Sequence, residues 1–110
     1  MIIIKAMTKG FEDWGNDADD FFVSFQLDIG PKEINGESYL YTVDIISPKR
    51  LQNTIQEGES EIGRGYIILT DYNENVIRSS IENIVKKCNT DNNEKAYASL
   101  SKYFRWEMDE

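Results

Sequence analysis

The chain has no histidine and a single cysteine, Cys88, among its 110 residues. Without histidine it lacks the side chain that titrates near neutral pH, the base of Ser-His and Cys-His nucleophile pairs, and the commonest zinc ligand. One cysteine can form no disulfide within the chain and no cysteine cluster for a metal. Cationic side chains are scarce as well: 12 Lys and Arg stand against 20 Asp and Glu, for a net charge of -8. Such a negative average field repels phosphate backbones and anionic headgroups, so nucleic acid and membrane surfaces are disfavoured as partners. Long apolar runs are missing too. The stretch Met1–Ala6 is interrupted by Lys5 and is too short for a signal peptide or a membrane span, which fits a cytoplasmic setting.

What is present suits one folded domain over residues 1–110. A chain of this length buries roughly two-thirds of its unfolded surface, and five Phe, six Tyr and two Trp within a 40% apolar composition can fill a core. The patterning predicts an α+β domain: a mainly antiparallel sheet of about four or five strands against about three helices. Ile2, Ile3 and Ile4 read as a first, well-covered strand, and the acidic, glycine-containing stretch from Lys9 to Asp20 reads as a loop. Phe21, Val23, Phe25, Leu27 and Ile29 then alternate with polar residues, as do Tyr39, Tyr41, Val43 and Ile45 beyond the turn residues Gly30, Pro31, Asn35 and Gly36. That is a hairpin of strands 21–29 and 38–46.

Ser47 as N-cap and Pro48 at the first helical position open a helix over 48–56, closed by Gly58. Tyr66 to Leu69 are apolar on both faces, predicting a central strand over 65–70. Asp71 and Glu74 have capping-box spacing ahead of Ile77, Ile81, Ile84, Val85 and Cys88, which recur at helical intervals and predict a helix over 73–88. Asp91 and Glu94 repeat that spacing before a third helix over 92–102. Trp106 and Met108 alternate with Glu107 and Asp109 as a short closing strand or an extended tail, and Trp106 reads as core.

Chemistry-bearing motifs dissolve on inspection. Asp71, Asn73, Asn75 and Glu82 match the first, third, fifth and twelfth positions of a calcium loop, yet Val76 stands where that loop needs glycine. Helix capping explains the same residues without a missing glycine. The carboxylate pairs Asp19/Asp20, Glu59/Glu61 and Glu107/Asp109 are expected by chance among so many acids. Gly63-Arg64-Gly65 lacks the third glycine of a dinucleotide loop. Cys88, on an apolar helix face with no histidine to activate it, reads as a small buried hydrophobe. No catalytic, cofactor-binding or metal-ligating residue is expected, so the chain reads as a binder and not an enzyme.

Acidic runs remain. Glu12, Asp13, Asp17, Asp19 and Asp20 form one, Glu57, Glu59 and Glu61 a second, and Glu107, Asp109 and Glu110 close the chain. Each alone reads as a solvated face, while together they can make a negative patch that attracts a basic protein. Trp14, inside the first run, is either core or an interface anchor. The candidate partner-binding residues are therefore Trp14, Asp17, Asp19, Asp20, Glu57, Glu59, Glu61, Arg64, Glu107 and Asp109.

Several segments taken in order resemble the immunity protein 8 family of bacterial polymorphic toxin systems. They are Ile29-Gly30-Pro31-Lys32, Gly36-Glu37, Ser47-Pro48-Lys49-Arg50-Leu51, Gly63-Arg64, Ile67-Ile68-Leu69, Asp71-Tyr72 and Trp106-Glu107-Met108-Asp109. The resemblance implies an α+β domain that protects the producing cell by binding a toxin's catalytic domain. Many such toxins are nucleases, whose clefts must be basic to hold phosphates. Arg50 stands where the family often has an aromatic and Gly65 where it often has histidine. As solvent-facing exchanges, both are expected to bear on partner choice. The other reading is a cytoplasmic protein-binding or regulatory module unrelated to toxins.

Overall fold

The computed structural model describes residues 1–55 and 65–107. Five strands and three helices follow one another as β1 (Ile2–Trp14), β2 (Phe21–Pro31), β3 (Tyr39–Ile46), α1 (Pro48–Thr54), β4 (Tyr66–Ile68), α2 (Glu74–Cys88), α3 (Asn93–Leu100) and β5 (Arg105–Trp106). The mostly antiparallel sheet and the helices give the expected α+β class. Strands β1, β2 and β3 form an antiparallel meander. The free side of β3 takes β4 in parallel at Asp44–Ile46 and β5 antiparallel at Tyr41–Thr42.

The hairpin alternation is realised side chain by side chain. Phe21, Val23, Phe25, Leu27 and Ile29 of β2 and Tyr41, Val43 and Ile45 of β3 are buried on one sheet face. There they belong to one core with Ile77, Ile81, Val85 and Cys88 of α2, Ala96, Tyr97 and Leu100 of α3, and Phe104. Each such burial contributes about 1.5–3 kcal/mol against exposure. Trp106 packs against the core, partly buried: its ring stacks on Tyr41 with centroids 5.7 Å apart.

The first strand departs most from its sequence reading. The first half of the loop expected from Lys9 to Asp20 is strand, because β1 stays paired with β2 down to Trp14 opposite Phe21. Register shifts between Ile4 and Ala6 and between Lys9 and Glu12 insert extra residues. Each bulge reverses the in-out order of side chains, which erases the period-two pattern by which a strand is read. Only residues 15–20 connect β1 to β2, and Gly15 N–H closes them on Asp20 O at 2.8 Å.

Strand β4 is short and lies at the sheet's edge, not its centre, with Ile68 52% exposed. The helix caps also differ from the reading, by two residues at α2 and by one at α3. Asn73, not Asp71, caps α2, its Oδ1 accepting from Asn75 N at 2.9 Å and Val76 N at 3.2 Å. Asn92, not Asp91, caps α3 through Lys95 N at 3.3 Å. An unbroken helix from Glu74 through Val76 and Glu82 uses the backbone that a calcium loop would have to bend. Ser47 caps α1 as expected; its hydroxyl accepts from Arg50 N and from Phe21 N, both at 3.1 Å, tying the helix start to β2.

Asp44 sits on the sheet face away from the core yet is 6% exposed, paired with Arg105 at 2.7 Å. Gly65 lies beside this pair with φ +88, and a Cβ there meets the Arg105 guanidinium at 2.9 Å. The residue is a backbone requirement and is buried, not the solvent-facing position expected.

Candidate functional site

The acidic stretch Glu12–Asp20 sits where β1 turns into β2, and α1 holds it from below. Arg50 Nε donates to Asp20 Oδ1 at 2.5 Å, and its Nη1 donates to Asp13 Oδ2 at 2.7 Å, so one guanidinium bridges both ends of the connection. Lys49 Nζ reaches Asp17 at 2.5 Å and Asp19 at 3.5 Å. Arg50 is 17% exposed and Asp20 18%, whereas Asp13, Asp17 and Asp19 are 55%, 66% and 62% exposed. The inner pair anchors the loop, and the outer carboxylates keep oxygens facing solvent. Arg50 is thus a structural staple, mostly buried and not the solvent-facing position expected.

A second layer joins this loop to α2. Lys9 Nζ pairs with Glu74 at 3.0 Å and Glu12 at 3.8 Å and lies 5.4 Å from the centre of the Tyr72 ring. Trp14 packs between Phe21 and Tyr72, with centroids 5.2 and 5.3 Å away, and its Nε1 donates to Glu12 at 2.8 Å. It is still 40% exposed. One side of the indole rests on Phe21 of the core, and the other remains open to solvent. Phe11, 62% exposed, lies in the second bulge and packs on Phe22 of the opposite sheet face.

The end of the hairpin carries six carboxylates, Glu12, Asp13, Asp17, Asp19, Asp20 and Glu74, against three cations, Lys9, Lys49 and Arg50. Half of the acidic charge is thus neutralised internally, and the excess is three negative charges. Of the candidate residues, Trp14, Asp17, Asp19 and Asp20 come together here. Glu107 does not: its N–H bonds Leu40 O, six residues of strand from the end where Asp13 pairs with Phe22, roughly 20 Å away. Glu57, Glu59, Glu61, Arg64 and Asp109 lie outside the described residues. Tyr72, Glu74 and Lys49 were not among the candidate partner-binding residues, and Arg50 was marked only as a departure from the family pattern. Their only signal was position, at helix starts whose direction in space the chain does not reveal.

The ion pairs set a pH dependence. The Lys49 ammonium holds the Asp17 carboxyl below the usual aspartate range, and Lys9, with Tyr72, does the same for Glu74. A lowered folded-state value stabilises the fold above the ordinary carboxylate range and loses that contribution as pH falls through the lowered value. Amide exchange in residues 15–20 is therefore expected to accelerate as pH drops below about 4, after correction for intrinsic rates. A loop equally protected at pH 3 and pH 7 contradicts the hold of Lys49 on Asp17. Arg50→Ala is expected to cost about 1 kcal/mol in urea unfolding, with Arg50→Lys recovering part of it. An unchanged midpoint in both variants contradicts the bridge.

No group of three or more His, Cys, Asp or Glu able to hold a metal occurs among the described residues, and no helix there is long and apolar enough to cross a membrane. What the arrangement offers chemically is an oriented indole flanked by exposed carboxylates on a rigid hairpin end. No curated protein and no solved structure matches the chain. The family model described as immunity protein 8 matches residues 3–110. With nearly the whole chain matched, this protein belongs to the immunity protein 8 family.

Proposed function

We propose that this chain neutralises a basic, nuclease-type toxin domain by docking the hairpin end at Trp14 onto the toxin's positively charged surface, with no bond-making of its own. Family membership makes it an immunity protein of a toxin system, with a cognate toxin as partner. The observation that carries the finer reading is the half-open indole of Trp14 among carboxylates already fixed by Lys49 and Arg50. Carboxylates fixed before binding lose little freedom on complex formation, and Trp is among the residues enriched at interface anchors. An excess of negative charge steers a basic partner and makes the association rate fall with salt. The site of action is the cytoplasm of the producing cell, where the toxin is made or delivered.

The test is co-purification with the toxin domain encoded beside this chain, followed by an assay of that domain's activity. Co-elution at micromolar concentration with loss of nuclease activity supports the reading. Separate elution with full activity defeats it. A complex in which the toxin proves acidic, or acts on something other than nucleic acid, keeps the immunity role and removes the charge argument.

A further inference from the structure

Strand β1 is an edge strand, and the two halves of its outer border are treated differently. Pro31 has no N–H, and its partner Ile2 turns both backbone groups away from β2. Ile2 N–H donates to Asn89 Oδ1 at 2.8 Å, and Asn89 Nδ2 donates to Ile2 O at 3.0 Å. The amide of Asn89 thereby acts as one residue of a neighbouring strand and closes the border there. Beyond it the border is open. Ile29, Leu27 and Phe25 share the parity of Pro31, so their partners Ile4, Met7 and Lys9 also turn N–H and C=O outward. Among the described residues none of these outward groups has a hydrogen-bond partner.

A groove of about 420 Å³ lies between β1 and α2 at the closed end of this border and reaches its open part at Ile4. Its floor includes Ile2, Ile4 and Val85, and its rim includes Arg78, Glu82 and Lys86. The rim carries an excess of one positive charge, the reverse of the hairpin end, where Glu12 and Glu74 flank the same strand. From Ile4 to Trp14 the strand spans roughly 30 Å, so one surface runs from an apolar, weakly cationic groove to an acidic, aromatic end.

We infer that the outer border of β1 takes an extended strand of the toxin, paired at Ile4, Met7 and Lys9. Its apolar side chains, with one carboxylate, enter the groove, and its basic side chains lie toward Trp14. This deepens the toxin-docking reading and rests on it. Backbone pairing fixes the segment's register, while the opposite charges at the two ends fix its direction.

The test is amide hydrogen exchange on the full chain, free and with the cognate toxin domain. The Ile4, Met7 and Lys9 amides are expected to exchange fast in the free chain and at least about tenfold slower in the complex. Ile4→Pro removes an outward N–H without touching the ladder to β2 and is expected to weaken toxin binding by about tenfold. Its fold is checked by circular dichroism, and the exchange measurement needs no variant. Tight toxin binding with these amides unchanged overturns the strand and leaves the docking reading standing. A toxin domain that does not bind at all overturns both. A free chain that is dimeric, with these amides already protected, identifies a second copy as the occupant and overturns the proposal.

Discussion

Trp14→Ala is expected to weaken binding of the cognate toxin about a hundredfold while leaving the fold in place. The indole is held on its inner side by Phe21 and Tyr72 and through its Nε1 by Glu12, yet 40% of the residue faces solvent. A side chain already fixed in one rotamer loses little entropy on complex formation, so most of the apolar area it covers appears as affinity. The same contacts are too few for its loss to unfold the domain, since the core proper lies beneath it in Phe21, Val23 and Phe25. Phe11→Ala is the matched control: Phe11 is more exposed but packs on Phe22 across the sheet, and a change of less than about threefold is expected. Titration of each variant with the toxin domain checks this. Equal losses at Trp14 and Phe11 place the contact on a different face.

Tyr41→Ala is expected to cost about 4 kcal/mol, a large part of the roughly 5–15 kcal/mol available to a small domain. Tyr41 is fully buried, stacks on Trp106 of β5 at 5.7 Å, meets Phe104 edge-on at 6.4 Å, and donates its hydroxyl to Tyr97 O at 3.2 Å. One side chain thus joins β3 to α3 and the closing strand. Burial lifts its phenol well above the usual tyrosine range, so it stays a neutral donor. Tyr41→Phe keeps the packing and loses only the bond to Tyr97, and about 1 kcal/mol is expected. Urea unfolding of both variants checks the pair. A loss below about 2 kcal/mol for Tyr41→Ala contradicts a clamp at this position.

The fold was legible where the period of the pattern survives. The alternation from Phe21 to Ile29 and the helical stripe from Ile77 to Cys88 fall on the core as read. It was illegible where local chemistry breaks the period. Two bulges hide the second half of β1, and Tyr66–Ile68, apolar on both faces, forms an edge. Neighbouring polar residues compete for each cap, so Asn73 and Asn92 take positions that the Asp-Glu spacing assigned to Asp71 and Asp91. The site was half legible. Composition marks Asp17, Asp19 and Asp20 as acidic, but only the path of the chain brings Lys49 and Arg50 beneath them and sends Glu107 to the other end of the sheet. Charge runs in sequence count charges; which are already neutralised depends on packing.

The most direct measurement is calorimetric titration of the purified cognate toxin domain into this chain at low and at physiological salt. A 1:1 complex of submicromolar affinity that weakens as salt rises is the expected result. Absence of binding heat beside a fully active toxin, or an affinity indifferent to salt and to Trp14→Ala, contradicts docking through the acidic hairpin end.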